Sequence, residues 1–324
     1  MSGADNLLEK TVENEGRRFL LKVETSSDSV DYAKYDALRN AVWGFPEDHL
    51  AGARNMMCES FLHEGSSLFI GAYREGEGGG FVEDGEHLVG FAYGFVGVRD
   101  KSVAFKSLDN LWFYAQYAGL LPDYQGSGLG VRIKEFQGEI VRDGLGVGEI
   151  VCTYDPLTGV NAHRNIRHFG MRVLDYRAAT YGEYGGYLNR PDVPTDRFFM
   201  SWDLRAAAPP PALGFSGISS ESAEVLAVEQ ALVEGRTRKL DLERVGAVDL
   251  GGPTRFKIVR IPADFYLMLR ETEVPDPEVR RIPLDWRTAT RRAFQGLMAR
   301  GYRVVDFIKA DRGRPVNAYL LRKD

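Results

Sequence analysis

Pro122-Asp123-Tyr124-Gln125-Gly126-Ser127-Gly128-Leu129-Gly130 is the most informative run in this sequence. It follows an apolar stretch, 109–119 (Asp-Asn-Leu-Trp-Phe-Tyr-Ala-Gln-Tyr-Ala-Gly), which reads as a strand leading through Leu120 and Leu121. A helical pattern comes after it, with Leu129, Ile133, Phe136 and Ile140 on one face and Gly144 as its stop. Glycines at 126, 128 and 130 remove side chains where strand turns into helix. The first N–H groups of that helix have no partner within it and lie at the positive end of its dipole. An anion can therefore be held by main-chain donors, with Arg132 or Lys134 adding charge nearby.

Upstream, 17–24 reads as a strand, 31–43 as a helix, about 49–63 as a second helix, and 67–74 and 87–98 as strands. The glycine cluster between the last two (Gly76, Gly78, Gly79, Gly80, Gly85) opens no helix, so it is read as a hairpin connection. Downstream, 147–154 is a buried strand ending at Asp155-Pro156, 161–169 is helical up to Gly170, and 173–181 and 197–204 are closing strands. Residues 206–212 (Ala-Ala-Ala-Pro-Pro-Pro-Ala) form a stiff linker and mark the expected domain boundary. Beyond it, 256–261 reads as a strand, Asp285 as the cap of a helix whose apolar face includes Trp286, Ala289, Ala293 and Leu297, and 303–309 and 317–322 as a strand pair. The Arg-rich face of 287–303 is read as solvated. Phe136-Gln137-Gly138 and Phe294-Gln295-Gly296 hint at a duplication, but helix–Gly–strand units are common enough for coincidence to be preferred.

A chain of 324 residues suggests about two domains, and 44 % hydrophobic with 27 % charged residues is enough for a real core. The net charge is −5 and basic residues form no run, which argues against nucleic acid as a partner. Two cysteines, Cys58 and Cys152, build no disulfide framework. With no signal peptide and no long apolar run, the expectation is a cytoplasmic protein without a membrane segment. His163 and His168, five residues apart with no carboxylate pair beside them, give no metal site.

Two ligand classes use a glycine turn of this kind. A dinucleotide site needs Gly-x-Gly-x-x-Gly; Gly126 and Gly128 fit, but the third place is Val131. Asp155 does end the next strand, as that rival requires, yet 67–119 reads as consecutive antiparallel strands rather than strand–helix–strand units.

The other class is coenzyme A. Gln125-x-x-Gly128-x-Gly130 after Leu121-Pro122 resembles the phosphate motif of the GNAT superfamily of N-acetyltransferases, and Leu88-Val89-Gly90-Phe91 with Gly94 is similar to that family's central strand. The resemblance extends through Asn161-Ala162 and Phe169-Gly170 to Thr195-Asp196-Arg197 and Trp202, covering roughly 17–204. It implies an α/β (α+β) architecture: a GNAT fold with a mixed, splayed central sheet over 1–205, and a smaller C-terminal α+β domain over 213–324. It also implies acetyl-CoA or another acyl-CoA as co-substrate, held by Gln125, Gly126, Ser127, Gly128, Leu129 and Gly130. The pantetheine arm would lie between strands 109–119 and 147–154, with Asn161 and Asn165 in reach of its amides. A main-chain N–H at Leu120 or Leu121 would face the thioester oxygen, and a small amine would attack directly.

The sequence departs from the family in its proton chemistry. Where many members place a tyrosine after the fifth strand, this chain has Ile166. Tyr154, Tyr176, Tyr181 and His168 are the alternatives. No carboxylate stands in 111–119, so Gln116 and Tyr117 are the candidates to position a water or the acceptor. Arg197 is a candidate for a substrate carboxylate, with an Asp–Arg structural pair as the equal alternative. An α-amine is about one-tenth neutral at pH 7, a deficit of roughly 1.4 kcal/mol, against about 5 kcal/mol for lysine. A site without a strong base therefore favours an amino acid over a protein lysine. The order Asp155-Pro156-Leu157, Asn161-Ala162, Gly170, Thr195-Asp196-Arg197 and Trp202 resembles a branch of predicted GNAT proteins with a C-terminal extension, some relatives of which are associated with N-succinylation of amino acids. A non-catalytic acyl-CoA-binding protein is the alternative from another class, and an NAD-dependent dehydrogenase a weaker one. Packing over the acceptor cleft and a homodimer interface both stay open for the C-terminal part.

Overall fold

A computed structural model of the chain describes residues 7–26, 29–44, 67–182, 186–206, 213, 221–309 and 317–323. The expected helix at 49–63, Cys58 and most of the 206–212 linker lie outside them. The chain divides into two compact units: residues 1–152 with 203–205, and residues 153–202 with 206–324.

The first unit is built on a mixed sheet. Its strands are β1 (Glu9–Asn14), β2 (Arg17–Val23), β3 (Ser67–Arg74), β4 (Leu88–Val98), β5 (Leu111–Leu120) and β6 (Glu149–Tyr154), whose last two residues belong to the second unit. Neighbours from β1 to β5 pair antiparallel, and β6 pairs parallel to β5. β1, which the sequence reading lacks, joins β2 through Glu15 and Gly16, both at positive φ as a two-residue hairpin turn requires. The glycine cluster after β3 is a hairpin connection as expected, closed by Gly76 N–H donating to Gly80 O at 2.8 Å.

Helix α1 (Ala33–Trp43) and helix α2 (Leu129–Glu139) cover β4 from opposite sides. Alternate residues of a strand face opposite ways. Phe91 and Tyr93 join Tyr35, Leu38 and Val42 in the α1 core, whereas a Cβ on Gly90 would meet Ile133 of α2. This is why β3 and β4 are buried along most of their length. α2 ends in one wide π turn, Ile140–Gly144.

The second unit contains α3 (Gly159–Ala162), which runs into a π segment, His163–His168. An antiparallel pair follows, β7 (Arg172–Arg177) and β8 (Arg197–Asp203). Its C-terminal part has β9 (Ser222–Glu224), the hairpin β10 (Leu226–Glu234) and β11 (Lys239–Val248), and β12 (Phe256–Ile261). Helices α4 (Phe265–Glu271), α5 (Pro277–Arg280) and α6 (Ile282–Ala299), then β13 (Arg303–Ile308) and β14 (Asn317–Arg322), complete it. The sheet order is β13-β14-β12-β9. Its aromatic core packs Tyr176, Phe198, Phe294, Phe307 and Tyr319 edge-to-face and stacked. Asp285 does not cap α6, which starts at Ile282; it lies one turn inside and pairs with Arg281. No helix among the described residues is long and apolar enough to cross a membrane.

The division into units does not follow the 206–212 linker, because residues 153–202 are bonded to the C-terminal part. Tyr154 and Tyr319 share a hydrogen bond at 3.1 Å, and Tyr319 donates to Pro156 O at 2.7 Å.

Candidate functional site

The glycine turn begins where β5 ends. A 3₁₀ turn, Pro122–Tyr124, leads to Gln125, whose Nε2 donates back to Leu120 O at 3.0 Å. Gly126 and Gly128 then take φ of +79° and +97°, the left-handed region that only glycine enters cheaply. Ser127 Oγ donates to Tyr124 O at 2.8 Å and accepts from Leu129 N–H at 3.3 Å. Val131 and Arg132 donate to Gly128 O. Among the described residues, nothing accepts from the N–H groups of Gly126, Ser127, Gly128 or Gly130. Space around Gly126 is open: a Cβ there would meet no atom within 4 Å. The turn is thus a cradle of main-chain donors at the N-terminus of α2. Leu129 is a correction to the donor set, since its amide goes to Ser127 and its side chain is buried. Lys134 is another: it points inward, Nζ to Cys152 Sγ at 3.8 Å, and brings no charge to the turn.

β5 supplies the second part. Its parallel ladder to β6 registers Phe113, Tyr114 and Ala115 against Ile150, Val151 and Cys152, and among the described residues it goes no further, while β5 continues to Leu120. Leu121 N–H donates to Val89 O at 2.9 Å, so Leu121 is not available to a ligand. That bond makes Gly90–Leu120 a non-hydrogen-bonded pair, in which the Leu120 N–H points away from β4 toward the edge that β6 leaves uncovered. Of the two expected amides, only Leu120 has the right direction.

Just before this edge lies a β-bulge. Tyr93 stands opposite Tyr117 but Gly94 opposite Ala115, so Gln116 is the extra residue. Bulges re-aim side chains and recur beside active sites. The Gln116 Oε1 is buried with no hydrogen-bond partner, an acceptor held ready for a donor that the protein does not supply. Tyr117, next along, packs against Trp43 with ring centroids 5.8 Å apart.

The remaining expected residues belong to the second unit, and their partners there correct several roles. Tyr176 donates to Asp196 Oδ2 at 2.6 Å. Burial first, then the negative Asp196, push its phenol well above the ordinary tyrosine value, the opposite of what a proton donor needs. Asp196 also takes Arg291 through both oxygens, at 2.8 and 2.6 Å, and Ala179 N–H at 2.8 Å. Burial alone would raise the Asp196 pKa, but these donors outweigh it and hold it below the usual carboxylate range. Arg197 donates to Asp196 O at 2.9 Å and Asp155 Oδ2 at 3.4 Å, so it is a structural cation rather than a substrate clamp. Asp155 is gripped bidentately by buried Arg287, with Nη1 to Oδ1 at 2.8 Å and Nη2 to Oδ2, which removes it as the ribose acceptor of a dinucleotide site. The Arg-rich face is accordingly not all solvated: Arg287 and Arg291 anchor two carboxylates.

Tyr154 is buried and its hydroxyl meets that of Tyr319. Tyr181 shares a hydrogen bond with Thr153 at 2.6 Å. Asn161 donates to Thr158 Oγ1 at 3.1 Å and accepts from Arg164 at 2.9 Å. Asn165 and Ile166 are buried in the π segment. The sequence reading missed Asn14, whose Nδ2 donates to Ser127 O at 2.9 Å. Its strand, all exposed or half-buried, carries no apolar alternation to announce it.

No protein-family model and no curated protein matches this chain. Several solved structures do. The ribosomal-protein-S18-alanine N-acetyltransferase of Escherichia coli is 15 % identical over 58 % of this chain and 96 % of its own, with a TM-score of 0.39. The ribosomal-protein-S5-alanine acetyltransferase of Vibrio fischeri is 16 % identical over 62 % and 100 %, with a TM-score of 0.41. NAA60 of Arabidopsis thaliana, solved with acetyl-CoA, is 12 % identical over 58 % and 99 %, with a TM-score of 0.41.

Proposed function

We propose that this chain is an acyl-CoA-dependent N-acyltransferase of the GNAT type, moving an acetyl or succinyl group to a small primary amine such as an amino acid, in the cytoplasm. The observation that carries the reading is the set of four unpaired amides, Gly126, Ser127, Gly128 and Gly130, standing directly after a strand with an uncovered edge. Their shape and polarity suit a diphosphate, and the edge from Gln116 to Leu120 suits an extended amide-bearing arm that pairs as an added strand would.

In this reading the Leu120 N–H donates to the thioester oxygen, most strongly as negative charge develops there. Gln116 Oε1 accepts from the incoming amine or from a water beside it, which orients the lone pair without removing a proton from an ammonium. β5 carries no carboxylate to act as a base, so the acceptor arrives as the neutral amine; its nitrogen forms the amide bond as the C–S bond breaks, and its surplus proton leaves on the CoA thiol. That favours amines of low pKa and predicts a rate that rises with pH through the acceptor's own titration.

The test is coenzyme A binding followed by thiol release. CoA is expected to raise the melting temperature and NAD(H) to leave it unchanged, and free CoA is expected to appear with one or more of a panel of amino acids and an acetyl or succinyl donor. Stabilisation by NAD(H) alone would overturn the reading. A second reading, a non-catalytic acyl-CoA-binding protein, is favoured by the buried Ile166. It predicts tight CoA binding with no turnover on any acceptor.

A further inference from the structure

We propose that Asn14, at the end of the N-terminal strand β1, is a positioning residue for the coenzyme turn. The inference rests on the acyl-CoA reading above. The Asn14 Nδ2 donates to Ser127 O at 2.9 Å across 113 residues of sequence. The carbonyl of Ser127 and the N–H of Gly128 belong to one planar trans peptide and point in opposite directions. Holding that carbonyl toward β1 therefore turns the Gly128 N–H away from β1, to the side where the turn is open. Without the tie, the 127–128 peptide is free to rotate, since Gly126 and Gly128 flank Ser127 and both tolerate many conformations. A flipped peptide would present a carbonyl, rather than an N–H, to an anion.

The contact is close. Asn14 Oδ1 lies 3.2 Å from where a Cβ on Gly128 would stand. A side chain at position 128 would therefore press on the Asn14 amide as well as strain the left-handed backbone. β1 is itself moored beside the turn: Lys10 Nζ bonds Glu139 of α2 at 2.6 Å, and its hairpin partner β2 sets Arg17 and Phe19 against the Tyr124 ring.

Isothermal titration with coenzyme A on the full chain tests this with three variants. Asn14→Ala is expected to weaken CoA binding about tenfold with little change in the melting temperature of the free protein. Asn14→Asp loses the donor and adds a negative charge beside the diphosphate. It is expected to be weaker than Asn14→Ala by a further severalfold, the excess shrinking in high salt, because screening acts on the charge and not on the lost hydrogen bond. Lys10→Ala breaks the ion pair between β1 and α2 without touching the turn, and is expected to stay within about twofold of wild type. The inference is overturned if both Asn14 variants bind CoA as wild type does, or if Lys10→Ala weakens binding as much as they do. A wild-type chain that binds no CoA would overturn the acyl-CoA reading itself, and this inference with it.

Discussion

Gly128 combines a backbone angle, a close contact and a ligand donor in one residue. At φ +97° any other residue is strained by about 1–2 kcal/mol, and more if β-branched. Gly128→Val is therefore expected to lower CoA affinity at least tenfold and the melting temperature by a few degrees, read by titration and thermal melting. Gly126→Ala meets open space and is expected to cost less on both counts. This glycine turn was legible in the sequence because a local backbone requirement selects its residues. The roles of Tyr176 and Arg197 were not, because the carboxylates they meet are shared with remote arginines: Asp196 meets Arg291 across 95 positions, and Asp155 meets Arg287 across 132. Tyr176→Phe removes a hydrogen bond to a charged group, worth about 1.5–3 kcal/mol. Because the Asp196 pKa is lowered in the folded state, its contribution is complete above about pH 4 and is lost as pH falls through the lowered value. The substitution should lower stability at neutral pH and move the acid-unfolding limb upward in pH, while turnover per folded molecule stays unchanged. Lost turnover with stability intact would restore Tyr176 as a proton donor.

Among the elements, β5 shows how far pattern reading reaches. Its apolar run predicts a strand, and the strand is there. Its bulge is silent, since Ala115-Gln116-Tyr117 contains no residue that announces one; the extra residue emerges only from the register against β4. The hairpin β10–β11 went unread for the opposite reason: its many charged residues hide a strand that is half exposed. Asp285 has the chemistry of a cap, but Pro283 at the first turn lets α6 begin earlier. Gly94, opposite the bulge, has no room for a methyl group, since a Cβ would lie 2.4 Å from the Phe113 ring and 2.5 Å from Tyr114 O. Gly94→Ala is expected to destabilise by about 1–3 kcal/mol. Urea unfolding should show a lower midpoint at unchanged slope, with CoA affinity falling too as β5 shifts.

At the scale of the whole chain, the linker at 206–212 is a conspicuous compositional break, yet the second unit recruits residues 153–202 from before it. The links are polar and buried, and for that reason invisible to hydrophobic patterning: Asp155 with Arg287, Asp196 with Arg291, Tyr154 with Tyr319. Burial by itself would lower the Arg287 pKa, but Asp155 more than offsets this and holds the guanidinium charged. Removing Arg287 leaves the buried Asp155 charge with only the longer cationic contact, to Arg197. Arg287→Met should therefore cost about 3–5 kcal/mol, and Asp155→Asn combined with Arg287→Met much less than the two single changes summed. Chemical denaturation of the four proteins checks the cycle. The same spacing has a consequence for biosynthesis. At about 5–20 residues per second, Asp155 is made roughly 7–26 s before Arg287. Throughout that interval the nascent polypeptide carries a half-finished module, so an interrupted translation product would be recognisable to chaperones and proteases as incomplete.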